Sequence, residues 1–428
     1  MKHFLKCACM AIACAISFAI NAAENAGSED ADTEATPGYK IGYSTRPAFG
    51  GPNSPEGQLE EDDRIKEPAF RFPRVYGFFE PWRDWKRRLN EEHGFQLTGH
   101  YSTLYQGASD SLSGEDQASS GFFRTTAKWT LTGRGTPNTG SLVFMLDHRH
   151  AYRDIAPSSL AGQVGYNGLT GTLYSDQGWV IPNFNWQQGL NDGNTGLLIG
   201  RYDPNDYMNI LGYSNPWTSF SNLSILFDSS VVYPDSSWGL AGGHWFNDQV
   251  YVMGGVNDGN GTLDDGLEFF DGGAEFYTWG HVGWTPSKAD RYYSNVHMLL
   301  WHVDAREDAG TDSAQGVNLA ASWTFDRTWM TFFRAGWSEG SAPIYNTSVT
   351  AGLIRKFHYR SDWAGIGFNW GDSPDDSLPD QKTMEAFWNF QFAQNFAITP
   401  SVQLLVDPAQ NTEEDQIWVV GLRTRITF

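Results

Sequence analysis

Charged residues recur on one face of stretches that otherwise read as extended chain: Arg124, Lys128, Asp147, Arg149, Arg201, Asp203, Arg334, Glu385, Arg423 and Arg425. Arginine offers a planar fork of donors and a carboxylate offers two acceptor oxygens. Projecting into a shared water-filled space from opposite walls, such groups would create a transverse field and hydrogen-bond hydroxyls. Paired with one another, they would only stiffen a wall.

Motifs of covalent or metal chemistry are weaker. Gly336-Trp337-Ser338-Glu339-Gly340 has the G-x-S-x-G form of a hydrolase nucleophile elbow, which requires a strand, a sharp turn and a helix. Here the next residues, SAPIYNTSVT, include Pro343 and lead into another strand-like run, so the motif reads as a hairpin or loop end. NDGNGTLDDG (257–266) has the composition of a calcium loop but not the EF-hand register. It reads as a solvated loop, with a weak divalent-ion site among its carboxylates as the alternative. His148 and His150 share a strand face without identifiable further ligands, and read as interfacial residues near a strand end. No GxGxxG or P-loop is present, and no catalytic residue, metal or cofactor is expected.

The elements that would position the charged residues are strands. In WVVGLRTRITF (418–428), Trp418, Val420, Leu422, Thr424, Ile426 and Phe428 fall on one face, with Gly421, Arg423, Arg425 and Thr427 on the other. An apolar face backed by arginines, closing on an aromatic residue, fits a barrel wall with lipid outside and water inside. Phe95, Leu97, Tyr101 and Tyr105 alternate in the same way with Gln96, Thr98, His100, Ser102 and Gln106. Phe123, Ala127, Trp129 and Leu131 oppose Arg124, Thr126, Lys128 and Thr130, and Met384, Ala386, Trp388, Phe390 and Phe392 oppose Glu385, Asn389 and Gln391. Short connections (246–249, 325–328, 394–396) contrast with long ones rich in Gly, Asp, Asn and Ser (107–120, 156–175, 202–236, 257–273). Tight turns at one end and long loops at the other are the asymmetry of an outer-membrane barrel.

Lys2 and Lys6, an apolar run from Cys7 to Ile20, and Ala22-Ala23 form a secretory signal peptide over residues 1–23. All three cysteines, Cys7, Cys9 and Cys14, lie within it, so neither a disulfide nor a cysteine metal site is expected after processing. A lipoprotein acylated at Cys14 is the alternative, against a poor match in the preceding AIA. Of 29 basic and 50 acidic residues, removing Lys2 and Lys6 leaves 27 against 50, a net charge of −23. That acidity excludes a backbone-binding nucleic-acid partner. No later apolar run reaches 18 residues and the mean hydropathy is −0.44, which leaves a soluble secreted protein or a barrel that hides its lipid face in alternation. Aromatics at 15% and 46 glycines suit barrel girdles and packed strands, although a carbohydrate-binding β-sandwich or a secreted β-rich hydrolase shares that profile. The expected division is a signal peptide (1–23), an acidic, poorly ordered periplasmic extension (24–75), a short amphipathic helix (76–93) and an all-β transmembrane antiparallel barrel of sixteen strands (94–428). The helix is expected to start near Pro81 and stop at Gly94. A plug inside the pore is the alternative for the acidic stretch.

Four stretches taken in order resemble the carbohydrate-selective porins of the OprB family. They are PWRDWKRRLNEEHGFQLTGHYS, the G-R-x-D-x-N-D stretch in IGRYDPNDYMN (199–209), SSWGLAGGHWFNDQVYVMGGVNDGN (236–260) and the closing ITPSVQLLVDPAQNTEEDQIWVVGLRTRITF. The resemblance spans 82–428. Asp407 stands where the family usually has Asn, and the acidic stretch before 64 lies outside the resemblance. It implies a sixteen-stranded outer-membrane porin, passing monosaccharides, glucose above all, by diffusion through a constriction narrowed by inward-folded loops. Arg201 and Asp203 occupy the G-R-x-D match and are the first choice for a functional pair. Arg124, Arg149, Arg334, Glu385 and Arg423 come from the inward-face argument alone. Expected partners are neutral sugars and outer-membrane lipid, and lipopolysaccharide through divalent ions where the excess carboxylates sit on external loops, with a monomer or a homotrimer as the assembly. A general or differently selective porin is the alternative within this class.

Overall fold

The computed structural model describes residues 49–428, apart from 265–268, 270–272, 307–308, 327 and 358–360. The 1–23 segment and the first half of the acidic stretch lie outside the described residues. Among the described residues two helices come first, α1 (Pro55–Asp63) and α2 (Pro73–His93). Then follow β1 (Phe95–Ala108), β2 (Gln117–Thr132), β3 (Gly140–Ala151), α3 (Pro157–Gln163), β4 (Gly178–Leu190), β5 (Thr195–Tyr202) and α4 (Leu223–Leu226). The rest is strand: β6 (Ser237–Trp245), β7 (Val250–Asp258), β8 (Phe276–Trp284), β9 (Asn295–Val303), β10 (Ala314–Phe325) and β11 (Trp329–Glu339). The last five are β12 (Thr347–Lys356), β13 (Trp363–Asp372), β14 (Gln381–Ala393), β15 (Phe396–Val406) and β16 (Gln416–Thr427).

Every strand pairs antiparallel with its sequence neighbours, and β1 closes on β16 with Tyr101 opposite Ile426 and Leu104 opposite Arg423. Closure leaves no unpaired edge, the condition for sheet structure in lipid. The alternation sets the two surfaces. Ile199, Leu240, Val420 and Leu422 stand exposed on the outer wall, while Ser102, Arg124, Asp147, Asn318 and Thr350 are buried within. The longest connections (152–177, 203–236, 259–275) fall at one end and the tightest (191–194, 246–249, 326–328, 394–395) at the other. Asn191, Asp192 and Asp326 take positive φ in those tight turns, which short polar side chains tolerate.

The N-terminal portion departs from expectation. Residues 49–63 are not poorly ordered periplasmic chain but lie inside the barrel. Ser54 caps α1, its hydroxyl accepting from the Gly57 N–H, with Pro55 in the first turn. The acidic residues that suggest a solvated segment meet basic partners far away in sequence: Glu56 with Lys128 at 3.2 Å, and Asp62 with Arg425 at 2.6 Å. Helix α2 starts at Pro73, three residues before the expected 76 and eight before Pro81, which sits in its interior. Two prolines carry the same helix-start signal, and Pro73 is the one in the first turn. The helix stops, as read, at Gly94, whose φ of 70° and N–H bond to the Asn90 carbonyl form a left-handed cap.

Candidate functional site

The lumen is crossed by the β5–β6 connection, 203–236, nearly all of which is buried. It leaves the wall at Asp203, whose carboxylate accepts from the Asn205 N–H at 2.9 Å and so starts a turn of 3-10 helix over Pro204–Asp206. Burial pushes the Asp203 carboxyl above its ordinary range, and does so more strongly for Asp206, where the Asp203 charge adds to it. Asp206 accepts from Asn53 at 3.0 Å and from Asn183 on β4 at 3.3 Å.

The connection is then pinned to the far wall by inward side chains. Arg334 on β11 donates to the carbonyls of Leu226 at 3.0 Å and Asn209 at 3.4 Å and to the Ser214 hydroxyl at 3.1 Å. Arg423 on β16 donates to the carbonyls of Pro216 and Ser219. Glu385 on β14 accepts from the Ser221 N–H at 2.9 and 3.0 Å, the Ser221 hydroxyl at 2.9 Å and the Asn222 N–H at 2.9 Å. Charge-assisted bonds to backbone of this kind hold an irregular segment whose polar groups would otherwise lack partners. Between these anchors Tyr213, Phe220, Ile225 and Leu226 pack on the inward apolar residues Met330, Phe332, Ile354 and Phe387.

Arg124 and Arg149 converge on one carboxylate. Arg124 grips Asp147 with two bonds of 2.6 and 2.7 Å, and Arg149 reaches the same group at 2.9 Å. Arg124 also donates to the Asn53 amide oxygen at 3.3 Å and stands 5.3 Å from the Trp217 ring. Arg201, the first-choice arginine, donates to the Ile181 carbonyl at 2.8 Å and to the Thr262 carbonyl. Arg201 and Asp203 are therefore close in sequence but serve different contacts.

All seven residues singled out from sequence lie on or beside the lumen. The structure gathers Arg334, Glu385 and Arg423 around the crossing connection, and Arg124 with Arg149 around Asp147. Sequence reasoning missed the partners supplied by residues 49–63. Arg291, in the β8–β9 connection, donates to the Phe49 carbonyl at 3.0 Å, and the Phe49 ring lies over Gly196 and Gly243, where a Cβ would come within 2.7 and 2.5 Å. Gly51 N–H donates to the Asp206 carbonyl at 2.6 Å. The available signal was the paired glycines at inward positions of adjacent strands β5 and β6, which mark a close approach from within.

The rival chemistries find no support in geometry. Gly336 to Ser338 lie within β11, and the chain passes through a loop into β12 with no helix, so the G-x-S-x-G stretch is not an elbow. The Ser338 hydroxyl donates to the Tyr345 carbonyl at 3.0 Å. His148 and His150 face outward, bonded to each other at 3.2 Å, with His150 bonded to Tyr101 at 3.1 Å. Among the described residues no group of three or more His, Cys, Asp or Glu is placed to hold a metal.

Residues 88–428 match the family model of the carbohydrate-selective porin, OprB family. The fold resembles the high-pH structure of Pseudomonas putida OprB, with a TM-score of 0.65 at 15% identity, covering 81% of this chain and 97% of that one. A triple mutant of the Rhodopseudomonas blastica porin aligns with a TM-score of 0.50 at 14% identity, over 78% of this chain and 100% of that one. At such identities the likeness is one of fold. None of the functionally curated proteins compared matches the chain.

Proposed function

Because the chain belongs to the carbohydrate-selective porin, OprB family, we propose that it is an outer-membrane channel of a Gram-negative bacterium that lets monosaccharides, glucose and similar sugars, diffuse passively into the periplasm. The observation that carries this reading is the family match over residues 88–428, on a barrel crossed by a wall-anchored connection. In this reading Arg334, Glu385 and Arg423 define the constriction by holding 203–236 in place. Arg124, Arg149, Arg201 and Asp203 furnish its charged face. No covalent step is part of this reading, and the gradient alone drives entry.

The test is solute entry into liposomes carrying the purified chain, comparing glucose and other neutral monosaccharides with amino acids and organic anions of similar size. The expected result is faster sugar entry that falls in Arg201→Ala and Asp203→Ala variants whose barrels remain folded. Entry ranked by size alone would remove the sugar selectivity.

A further inference from the structure

Helix α2 carries Val75, Phe78, Trp82, Trp85 and Leu89 at intervals of three and four residues, which places them in one narrow stripe. Phe78 is 79% exposed, and Val75, Trp82 and Trp85 are exposed with it. The stripe lies beside the face that meets the rest of the molecule, where Lys86 reaches Asp63 at 2.7 Å. Glu80, Asp84, Arg87, Arg88 and Glu91 fill the opposite side.

Both ends of the helix are tied to aromatics of the barrel's outer wall, at the end with the tight turns. Ahead of it, Phe70 and Phe72 pack on Phe392 of β14 at 4.9 and 5.9 Å. Phe392 continues into Phe390 at 6.2 Å and from there into Trp388 at 5.6 Å, all outward residues. Behind it, Trp129 of β2 donates to the His93 carbonyl at 3.2 Å, and Phe95 meets the Trp129 ring at 6.2 Å. A helix of 21 residues is about 31 Å long. From β14 to β2 the rim crosses four strand spacings of about 4.8 Å, longer along tilted strands. A helix tied at these two points runs along the rim, with its apolar stripe exposed. The charge agrees: Arg71, Arg74, Arg83, Lys86, Arg87 and Arg88 outnumber Glu80, Asp84, Glu91 and Glu92 here, in a chain of net charge −21.

We propose that α2 is a membrane-surface helix, with the Val75–Leu89 stripe seated at the boundary of headgroups and acyl chains in the leaflet next to the tight turns, and its arginines against anionic phospholipid headgroups. Stripe, aromatic ends and basic charge are the features of a helix lying in the interface plane. The inference is independent of which solute the channel passes.

The experiment uses the full chain with Cys7, Cys9 and Cys14 replaced by serine, labelled with bimane through Phe78→Cys or Asp84→Cys. It is inserted into vesicles of phosphatidylethanolamine and phosphatidylglycerol with brominated acyl chains, and insertion is checked by heat-modifiable migration. The label at 78 should be quenched by brominated lipid at least roughly twofold more than the label at 84, and the label at 84 alone should be open to iodide. Equal iodide access at both positions would overturn the proposal. So would shielding at 78 without quenching by lipid, which would mean that a second copy of the chain covers the stripe. Replacing the phosphatidylglycerol with phosphatidylcholine should reduce quenching at 78, and unchanged quenching would remove the headgroup part.

Discussion

Glu385→Ala tests whether the crossing connection is held by its wall anchors. The substitution removes an acceptor from two buried backbone N–H groups, Ser221 and Asn222, and from one buried hydroxyl. An unsatisfied buried donor costs ~1–3 kcal/mol, so the two N–H groups alone cost ~2–6 kcal/mol. The lower bound corresponds to a roughly 30-fold larger open population of the segment, at a tenfold change per ~1.4 kcal/mol. The barrel does not share this loss, because Glu385 is one residue in strand ladders that pair β14 with β13 and β15 through the backbone. Hydrogen exchange on the folded protein reads both quantities. Peptides covering 217–226 should exchange at least roughly 30-fold faster, while those from β16 keep wild-type protection. Glu385→Gln keeps one carbonyl oxygen and should recover part of the effect. Unchanged exchange of 217–226 in a folded Glu385→Ala barrel would refute the anchoring argument.

Residues 49–63 offer three further tests. Asp62→Asn removes the charge that meets Arg425 at 2.6 Å; leaving a buried arginine uncompensated costs ~3–5 kcal/mol, so α1 should become protease-sensitive and channel conductance should rise, whereas unaltered conductance would mean that α1 does not obstruct the path. Burial raises the Asp62 carboxyl, but Arg425, together with His100 and Lys66, outweighs it and holds the group below its ordinary range; its contribution is therefore complete above the unfolded value, ~3.9, and disappears as pH falls through the lower folded value. Asp206 is displaced in the opposite direction, so its contribution fades as pH rises above that same unfolded value, and protection of 55–63, corrected for intrinsic exchange, should peak in mild acid; a steady rise to alkaline pH would contradict this. Gly243→Val should displace Phe49, since even a Cβ there comes within 2.5 Å of the ring, and the variant should show faster proteolysis of the segment with an unchanged barrel.

The barrel was legible because its signal is local. Alternation within a strand such as 418–428 depends only on which neighbours point outward, and lipid makes that choice severe. The lumen was less legible because its determinants are distant pairings. Nothing near Glu385 in sequence announces Ser221, and nothing near Asp62 announces Arg425. The assumption that inward faces are hydrated also fails at Met330, Phe332, Ile354 and Phe387, which point inward and pack on the crossing connection. A strict period of two marks these as exceptions but does not say what covers them. Composition misled over 49–63, where acidity was read as solvation although basic partners stand on the wall. Arg201 and Asp203 show the limit of adjacency: two residues apart, they serve separate contacts.

The position of Arg423 and Arg425 on the strand that completes the barrel has a consequence for biogenesis. Arg425 meets Asp62 across 363 residues, and Arg423 meets the Pro216 and Ser219 carbonyls across 207 and 204. Contacts of such separation form late because a long loop must close first. Zipping β16 onto β1 would therefore seal the wall and fasten its contents in the same event.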